Sequence, residues 1–192
     1  MKTENAVIDA TNSTFRNGVD ANALLETIAF LGENPDKAQF KFRARNRWID
    51  GSLNEATIDS FHALGDEQSH DRTHVVQADQ PALILGKDVA PNPVENLLAA
   101  LSSCISTTTV YHAAANGESV EKFTSELEGA IDVRGFMGID PDVREGFNEI
   151  TVKVKAKSSA NEQRLRELIS KSPVLDILRH GTQVNIEIES HS

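Results

Sequence analysis

The chain contains one cysteine, Cys104, and its thiol is the first candidate for chemistry. A cysteine thiolate is a good nucleophile, so a reactive Cys104 predicts thiol or redox chemistry. The alternative interpretation is a small buried side chain, because free cysteines are among the most buried residue types and are then inert. The residue type by itself leaves both interpretations open.

The position of Cys104 in the chain limits how its thiolate is stabilised. The sequence pattern predicts a helix over 92–116, with Asn92 as its N-cap and Glu95 as the capping-box partner. Cys104 then lies about three turns into the helix, where the helix dipole has little effect. A reactive Cys104 therefore needs another stabilising group, and an arginine suits because it stays charged and donates hydrogen bonds to a thiolate.

Glu95 is the second candidate, and helix geometry separates it from the thiol of its own chain. Nine residues correspond to about 900° of rotation and about 13.5 Å of rise, which puts Glu95 and Cys104 on opposite faces. Glu95 therefore cannot serve the Cys104 of its own helix, whereas it could serve the Cys104 of a second chain. A purely structural role in the helix cap is the alternative.

Four arginines are candidates for the stabilising group. Arg43, Arg45 and Arg47 share one face of a strand predicted over 39–49, where a solvated edge is the simpler interpretation for at least two of them. Arg72 lies in a polar segment ahead of the next predicted strand. The pattern does not select the arginine that faces Cys104.

The remaining motifs give no reason to expect a metal or a cofactor. His62, His70 and His74 form a loose group in sequence, but no HExxH or paired CxxC motif accompanies them. His112 would lie about 12 Å along the helix from Cys104, too far for a Cys–His pair. The sequence contains no phosphate-binding glycine loop and no GxSxG elbow.

Composition restricts the partners and the compartment. The 192-residue chain has a formal net charge of −10, which disfavours binding to nucleic acid and to anionic membrane surfaces. One cysteine cannot form an internal disulfide, which is typical of a reducing compartment. The sequence shows neither a secretory signal nor an apolar run of about 18 residues, so a cytoplasmic protein is expected.

The elements that must position these residues follow from periodicity and turn signals. The predicted helices are 20–32, 92–116, 160–171 and 173–180. The predicted strands are 39–49, 52–60, 74–78, 119–133, 147–157 and 182–189. A hairpin turn is predicted at Asp50-Gly51 and a loop over 61–72. Helices and strands do not alternate strictly, so the order predicts an α+β fold with largely antiparallel sheets. Helix 92–116 is apolar or small nearly all round, and a dimer would cover it more easily than one chain.

The segment from Gly86 to Cys104 resembles the signature of the OsmC and organic-hydroperoxide-resistance family. It has a glycine-containing loop, a Pro-x-Glu-Leu-Leu-like helix start and small residues up to the cysteine. Asp79-Gln80-Pro81 resembles the family's approach to that loop, and Ser172-Pro173-Val174 resembles its Cys-Pro-Val element. The resemblance makes residues 38–192 the OsmC-like domain, preceded by a flexible arm over 1–18 and an N-terminal helix and linker over 19–37.

The resemblance implies both a fold and a reaction. The implied fold is an intertwined α+β homodimer, with long central helices wrapped by mostly antiparallel sheets from both chains. The implied activity is that of a peroxiredoxin-like oxidoreductase in oxidative-stress defence. A peroxidatic cysteine attacks an organic hydroperoxide and becomes a sulfenic acid, a second cysteine resolves it as a disulfide, and an external thiol reduces the disulfide.

Residue by residue, Cys104 matches the peroxidatic cysteine, and Glu95 matches a glutamate that the family supplies from the partner chain. Ser172 stands at the resolving position, so an internal disulfide cannot close and an external thiol must take over. The family's arginine cannot be placed by motif. Arg47 is preferred over Arg72, because a strand positions a side chain better than a loop.

One alternative remains beside the one-cysteine peroxidase. Ser172 also fits a family member that no longer turns over and instead binds a small apolar ligand or senses oxidants at the dimer interface. Either function implies a homodimer and no cofactor or metal.

Overall fold

A computed structural model describes residues 14–190 of the chain. Within them the fold is α+β and its sheets are antiparallel, as predicted. The chain divides into two compact units, one formed by residues up to 99 together with 114–117, the other by 100–113 together with the residues from 118 onward. Within the described residues the first unit contains a two-stranded and a four-stranded sheet, and the second unit contains a two-stranded sheet.

The first unit combines two short strands, a helix and a four-stranded sheet, followed by the start of a long helix. Its elements are β1 (Phe15–Arg16), β2 (Val19–Asp20), α1 (Ala21–Glu33), β3 (Lys41–Phe42), β4 (Arg45–Asp50), β5 (Leu53–Ala63), β6 (Asp66–Ala78), a 3-10 turn (Ala82–Ile84) and the beginning of α2 (Pro93–Ala115).

The N-terminal hairpin begins inside the segment expected to be a flexible arm. Asn17 and Gly18 both have positive φ, as the tight turn between β1 and β2 requires. Asp20 then caps α1 by accepting hydrogen bonds from the backbone N–H groups of Asn22 and Ala23. β1 thus lies within the last residues of the predicted arm, whose residues 1–13 lie outside the described part.

β5 is the central strand of the four-stranded sheet, with β6 along one edge and β3 and β4 along the other. The prediction of a loop over 61–72 is wrong, because β5 continues to Ala63 and β6 starts at Asp66 across a turn at Leu64-Gly65. The polar side chains of β6 are almost all exposed. A strand with few buried positions lacks the apolar alternation that identifies a strand in sequence.

The second unit packs the middle of α2 with a two-stranded sheet and three shorter helices. Its remaining elements are β7 (Val120–Ala130), α3 (Val133–Phe136), β8 (Glu149–Ser158), α4 (Glu162–Ile169) and α5 (Pro173–His180). β7 and β8 pair in antiparallel register over nearly their whole length. Leu101, Ile105 and Leu168 are among its fully buried apolar side chains.

The predicted final strand over 182–189 is not formed: residues 181–190 belong to neither a helix nor a strand. Its period-2 pattern is present in the sequence, yet no strand formed within residues 14–190 pairs with it. A strand needs a partner for its backbone N–H and C=O groups, and the sequence pattern reports burial of one face without identifying that partner.

Candidate functional site

Cys104 lies in the middle of α2, where its side chain is half-buried. The buried row beside it consists of Leu101, Ile105 and Thr109, which are four residues apart and point into the second unit. The thiol therefore borders the core of the unit but is not enclosed by it. This position combines access for a reactant with support from a packed helix.

The side chain of Thr108, one turn further along α2, lies beside the sulfur of Cys104. Its Oγ1 lies 4.0 Å from Sγ of Cys104. A helical threonine commonly donates to the carbonyl four residues before it, as Thr109 does to Ile105 at 2.7 Å. Thr108 forms no such bond among residues 14–190, so its hydroxyl is available to the thiol, and either group can be the donor.

Glu95 occupies the capping position that the sequence predicts. The Asn92 backbone N–H donates to Oε2 of Glu95 at 2.8 Å, and the Glu95 backbone N–H donates to Oδ1 of Asn92 at 2.8 Å. This reciprocal pair is a capping box, so the structural role of Glu95 is observed. One carboxylate oxygen of Glu95 is used in that role.

Three arginine candidates form ion pairs with carboxylates of β5 or β6: Arg43, which lies between β3 and β4, and Arg45 and Arg47 of β4. Arg43 forms a bidentate pair with Glu67. The hydrogen bonds from the Arg43 guanidinium hold the pKa of the Glu67 carboxyl below its usual value. Arg45 pairs with Asp59, and Arg47 with Glu55 at 3.2 Å.

Arg72 is exposed on β6 and forms no side-chain hydrogen bond or ion pair within the described part of the chain. Of the candidates, it is therefore the one whose guanidinium is available without breaking an ion pair. The predicted preference for Arg47 rested on its place in a strand; Arg72 also lies in a strand, so that distinction between the two is lost.

Ser172 is fully buried and serves as the N-cap of α5. Its Oγ accepts a hydrogen bond from the backbone N–H of Leu175 at 3.3 Å. A hydroxyl accepts this hydrogen bond from the backbone better than a thiol would, because sulfur is a weak acceptor. Serine at position 172 therefore has a structural role as the cap of α5.

Replacing Ser172 by alanine is expected to lower the free energy of unfolding by about 1 kcal/mol, because the buried cap hydrogen bond is lost. Urea denaturation of the two proteins measures the difference. Ser170→Ala is the matched control, since Ser170 is exposed and donates only to the Glu167 carbonyl. Equal effects of the two substitutions would contradict the capping role.

Asp79 is a buried charged residue that the sequence interpretation treated only as part of a motif. Its side chain is 0% exposed, and one carboxylate oxygen accepts from the Ser52 hydroxyl and from the Gln80 backbone N–H. The other oxygen accepts from the backbone N–H groups of Lys87 and Val89 at 3.2 and 3.3 Å. The Ser52 hydrogen bond, followed by those backbone groups, lowers the pKa of Asp79 against the opposing effect of burial.

This carboxylate closes the loop between β6 and α2. The Asp79 backbone N–H also donates to the Pro91 carbonyl at 3.2 Å, so both ends of the loop meet at one residue. Gly86 lies against the Gln80 backbone so closely that any Cβ would overlap the Gln80 carbonyl. The Asp-x-Pro and glycine parts of the motif are therefore explained by loop closure ahead of α2.

The second unit contains an open cavity of about 990 Å³. Ile105 of α2, Val152 and Val154 of β8, and Leu165 and Ile169 of α4 form its apolar lining. Arg166 and Arg179 lie at the same cavity, with Arg166 already paired to Glu162 at 2.6 Å. Cys104 itself does not line the cavity, but the next residue of α2, Ile105, does.

The histidines form ring contacts rather than a cluster of ligands. His70 and His74 are edge to face with centroids 5.1 Å apart, and His62 Nδ1 lies 3.3 Å from a Glu67 carboxylate oxygen. No group of three or more His, Cys, Asp or Glu side chains suited to a metal ion occurs among residues 14–190.

A family model for OsmC-like proteins matches residues 86–187, more than half of the chain. The chain belongs to the OsmC-like family. The matched OsmC-like segment contains Cys104, Glu95 and Ser172, the three positions carried over by motif. No curated protein is detectably similar in sequence, and no helix within residues 14–190 is long and apolar enough to cross a membrane.

Solved structures show the same fold at low sequence identity. The OsmC-like protein from Mycoplasma pneumoniae is 18% identical, with a TM-score of 0.52 over 73% of this chain and 88% of that one. An organic hydroperoxide resistance protein OsmC from Legionella pneumophila is 14% identical, with a TM-score of 0.50 over 73% and 91%. The OsmC-like α+β architecture is therefore shared across most of the length of these relatives.

Proposed function

We propose that this OsmC-like protein is a one-cysteine thiol peroxidase that reduces organic hydroperoxides through Cys104. The observation that carries the proposal is the place of the chain's single thiol: half-buried, in the middle of α2, and inside the segment that matches the family. The name of the Legionella relative, an organic hydroperoxide resistance protein, supports this substrate class.

The proposed reaction needs one hydroperoxide and two external thiols per turnover. The Cys104 thiolate attacks the distal peroxide oxygen, the O–O bond breaks, and the product alkoxide takes a proton and leaves as an alcohol. The resulting sulfenic acid condenses with a first external thiol to a mixed disulfide and water. A second external thiol then attacks that disulfide and restores Cys104, with a small disulfide as the oxidised product.

The site is proposed to be completed by a second copy of the chain. Glu95 of the partner would orient an arginine, Arg47 or Arg72, which stabilises the thiolate and the leaving oxygen. Exposed aromatic side chains support a homodimer: Phe42 and Trp48 are 74% and 71% exposed, and contact with a second copy would remove their apolar area from water. A single thiol without a disulfide partner is typical of the cytoplasm, the proposed location.

Treating the purified protein with cumene hydroperoxide in the absence of reductant tests the proposal. Loss of the Cys104 thiol and a mass increase of one oxygen are expected, followed by hydroperoxide consumption once dithiothreitol is added. A thiol that survives excess hydroperoxide would refute the peroxidase. The mass of the native protein in solution tests the homodimer separately.

A second candidate function is binding of a small apolar ligand, or oxidant sensing, without turnover. The apolar cavity and the structural use of Ser172 favour it. In the same experiment this function predicts either an unreactive thiol or a single oxidation that dithiothreitol does not convert into turnover.

Thr108→Val is expected to slow the oxidation of Cys104 by cumene hydroperoxide by about threefold to tenfold, because the thiolate loses a neighbouring hydroxyl that can donate to it. Thr108→Ser is the matched control and should retain most of the rate. Stopped-flow measurement of thiol loss gives both values. Equal rates for the two variants would show that the hydroxyl does not act on the thiol.

A further inference from the structure

The short helix α3 and the residues after it present apolar side chains to solvent. Val133, Phe136, Met137 and Ile139 are 44%, 56%, 48% and 69% exposed. Val133 and Met137 are four residues apart and share one face of the helical turn. The Met137 backbone N–H donates to the Val133 carbonyl and that of Ile139 to the Arg134 carbonyl, both at 2.9 Å. These bonds hold the segment as one compact turn, and its four apolar side chains are here called the α3 patch.

The segment that carries the α3 patch is firmly held. The Arg134 guanidinium donates to carboxylate oxygens of Asp132 at 2.6 Å and of Asp140 at 3.4 Å. Gly135 lies so close to the Arg144 carbonyl that any Cβ there would overlap it. The loop between β7 and β8 therefore keeps the apolar side chains of the patch at the surface in a fixed arrangement.

Met137 is the member of the α3 patch that a peroxide can modify. Its thioether sulfur carries lone pairs and is oxidised to a sulfoxide, a change that methionine sulfoxide reductases reverse. The hydrocarbon side chains of the other three residues offer no such group. At 48% exposure the Met137 side chain is accessible to a dissolved oxidant. The chain's other methionine, Met1, lies outside the described residues.

We propose that Met137 is a site of reversible oxidation by peroxides, separate from Cys104, and that its oxidation makes the α3 patch polar. The Met137 sulfur attacks one peroxide oxygen, the O–O bond breaks, and the sulfur keeps that oxygen as a sulfoxide. The other oxygen leaves with the peroxide hydrogen as water or an alcohol. The sulfur loses two electrons and the peroxide gains two. A thiol-dependent methionine sulfoxide reductase removes the oxygen again.

The position of Met137 confines this change to the surface. A sulfoxide is polar and disrupts an apolar core in which it is buried. The Met137 side chain lies at the surface, where water satisfies the new oxygen without a partner from the protein. Oxidation is therefore expected to alter the polarity of the α3 patch and to leave the fold intact. The site goes beyond the proposed peroxidase, because it uses a different sulfur and needs no turnover at Cys104.

The full-length Cys104→Ser protein tests the proposal, since the cysteine can then take no part. Hydrogen peroxide should add one oxygen to Met137, located by peptide mass spectrometry, at a rate within about threefold of that of N-acetylmethionine amide. The oxidised protein should elute earlier from a hydrophobic-interaction column and keep its circular dichroism spectrum. Methionine sulfoxide reductase with dithiothreitol should restore both the mass and the retention.

Met137→Leu in the same background is the matched control, because leucine is of similar volume and has no sulfur. Peroxide should leave its retention unchanged, which separates the effect of Met137 from that of Met1. Slower oxidation of Met137 than the threefold limit would overturn its accessibility. Oxidation that leaves the retention unchanged, or that unfolds the protein, would overturn the change of surface. None of these results bears on the peroxidase, because the protein tested lacks the Cys104 thiol.

Discussion

Replacing Cys104 by serine is expected to reduce dithiothreitol-dependent consumption of cumene hydroperoxide by about a thousandfold or more, to the uncatalysed background. The reason is that serine retains the volume but not the nucleophile, and loss of the attacking group removes nearly all covalent catalysis. A coupled assay of remaining hydroperoxide measures the rate. Circular dichroism and thermal unfolding should remain close to those of the unmodified protein.

Thr107→Ala is the matched control for this substitution, because Thr107 lies on the same helix and is exposed. It should change the rate by less than about twofold if its side chain takes no part. Because the chain has no second cysteine, residual turnover in Cys104→Ser would mean that a residue other than a cysteine performs the reaction. Such a result would leave ligand binding as the better account of the cavity.

Replacing Asp79 by asparagine is expected to produce the largest loss of stability, lowering the midpoint of thermal unfolding at pH 7 by roughly 5–10 °C. The asparagine amide offers one oxygen, so in either orientation its NH2 group faces a backbone N–H donor that the carboxylate accepted, that of Gln80 or those of Lys87 and Val89. A buried donor facing a donor is left without a partner. Differential scanning calorimetry measures the midpoint.

The pH dependence of this difference has a defined sign. Because the Ser52 hydroxyl and the loop N–H groups lower the pKa of Asp79 in the folded protein, its stabilising effect is present above the unfolded pKa and is lost as the pH falls through the folded pKa. The difference in unfolding midpoint between the unmodified protein and Asp79→Asn should therefore be largest at pH 7 and should decrease below about pH 4. Asp71→Asn, at an exposed position of β6, is the control and should show little difference at either pH. A gap that is independent of pH would contradict a charged Asp79.

The elements predicted most accurately were those whose signals are local. α2 was predicted from its caps and its helical periodicity, and the Asn92–Glu95 capping box formed as expected, because these contacts join residues within one turn. The predicted helix over 173–180 was also confirmed, since Ser172, Pro173 and Gly181 specify its two ends. The α+β class followed from the order of such elements.

The sequence by itself determined the identity of the candidate nucleophile, the absence of a resolving cysteine and the family, because these depend on which residues are present and on their spacing. Only the tertiary structure decided that Arg43, Arg45 and Arg47 pair with carboxylates of β5 and β6, since those partners are between 8 and 24 residues away in the chain.

The tertiary structure likewise revealed Asp79 as the closure of the loop before α2, where the partner Ser52 lies 27 residues away. It also left Thr182–Glu189 unpaired, although the period-2 pattern correctly marks the segment as having one apolar face. The physical reason is the same in each case: a local pattern reports what a side chain or strand requires, whereas the partner that satisfies the requirement comes from elsewhere in the fold.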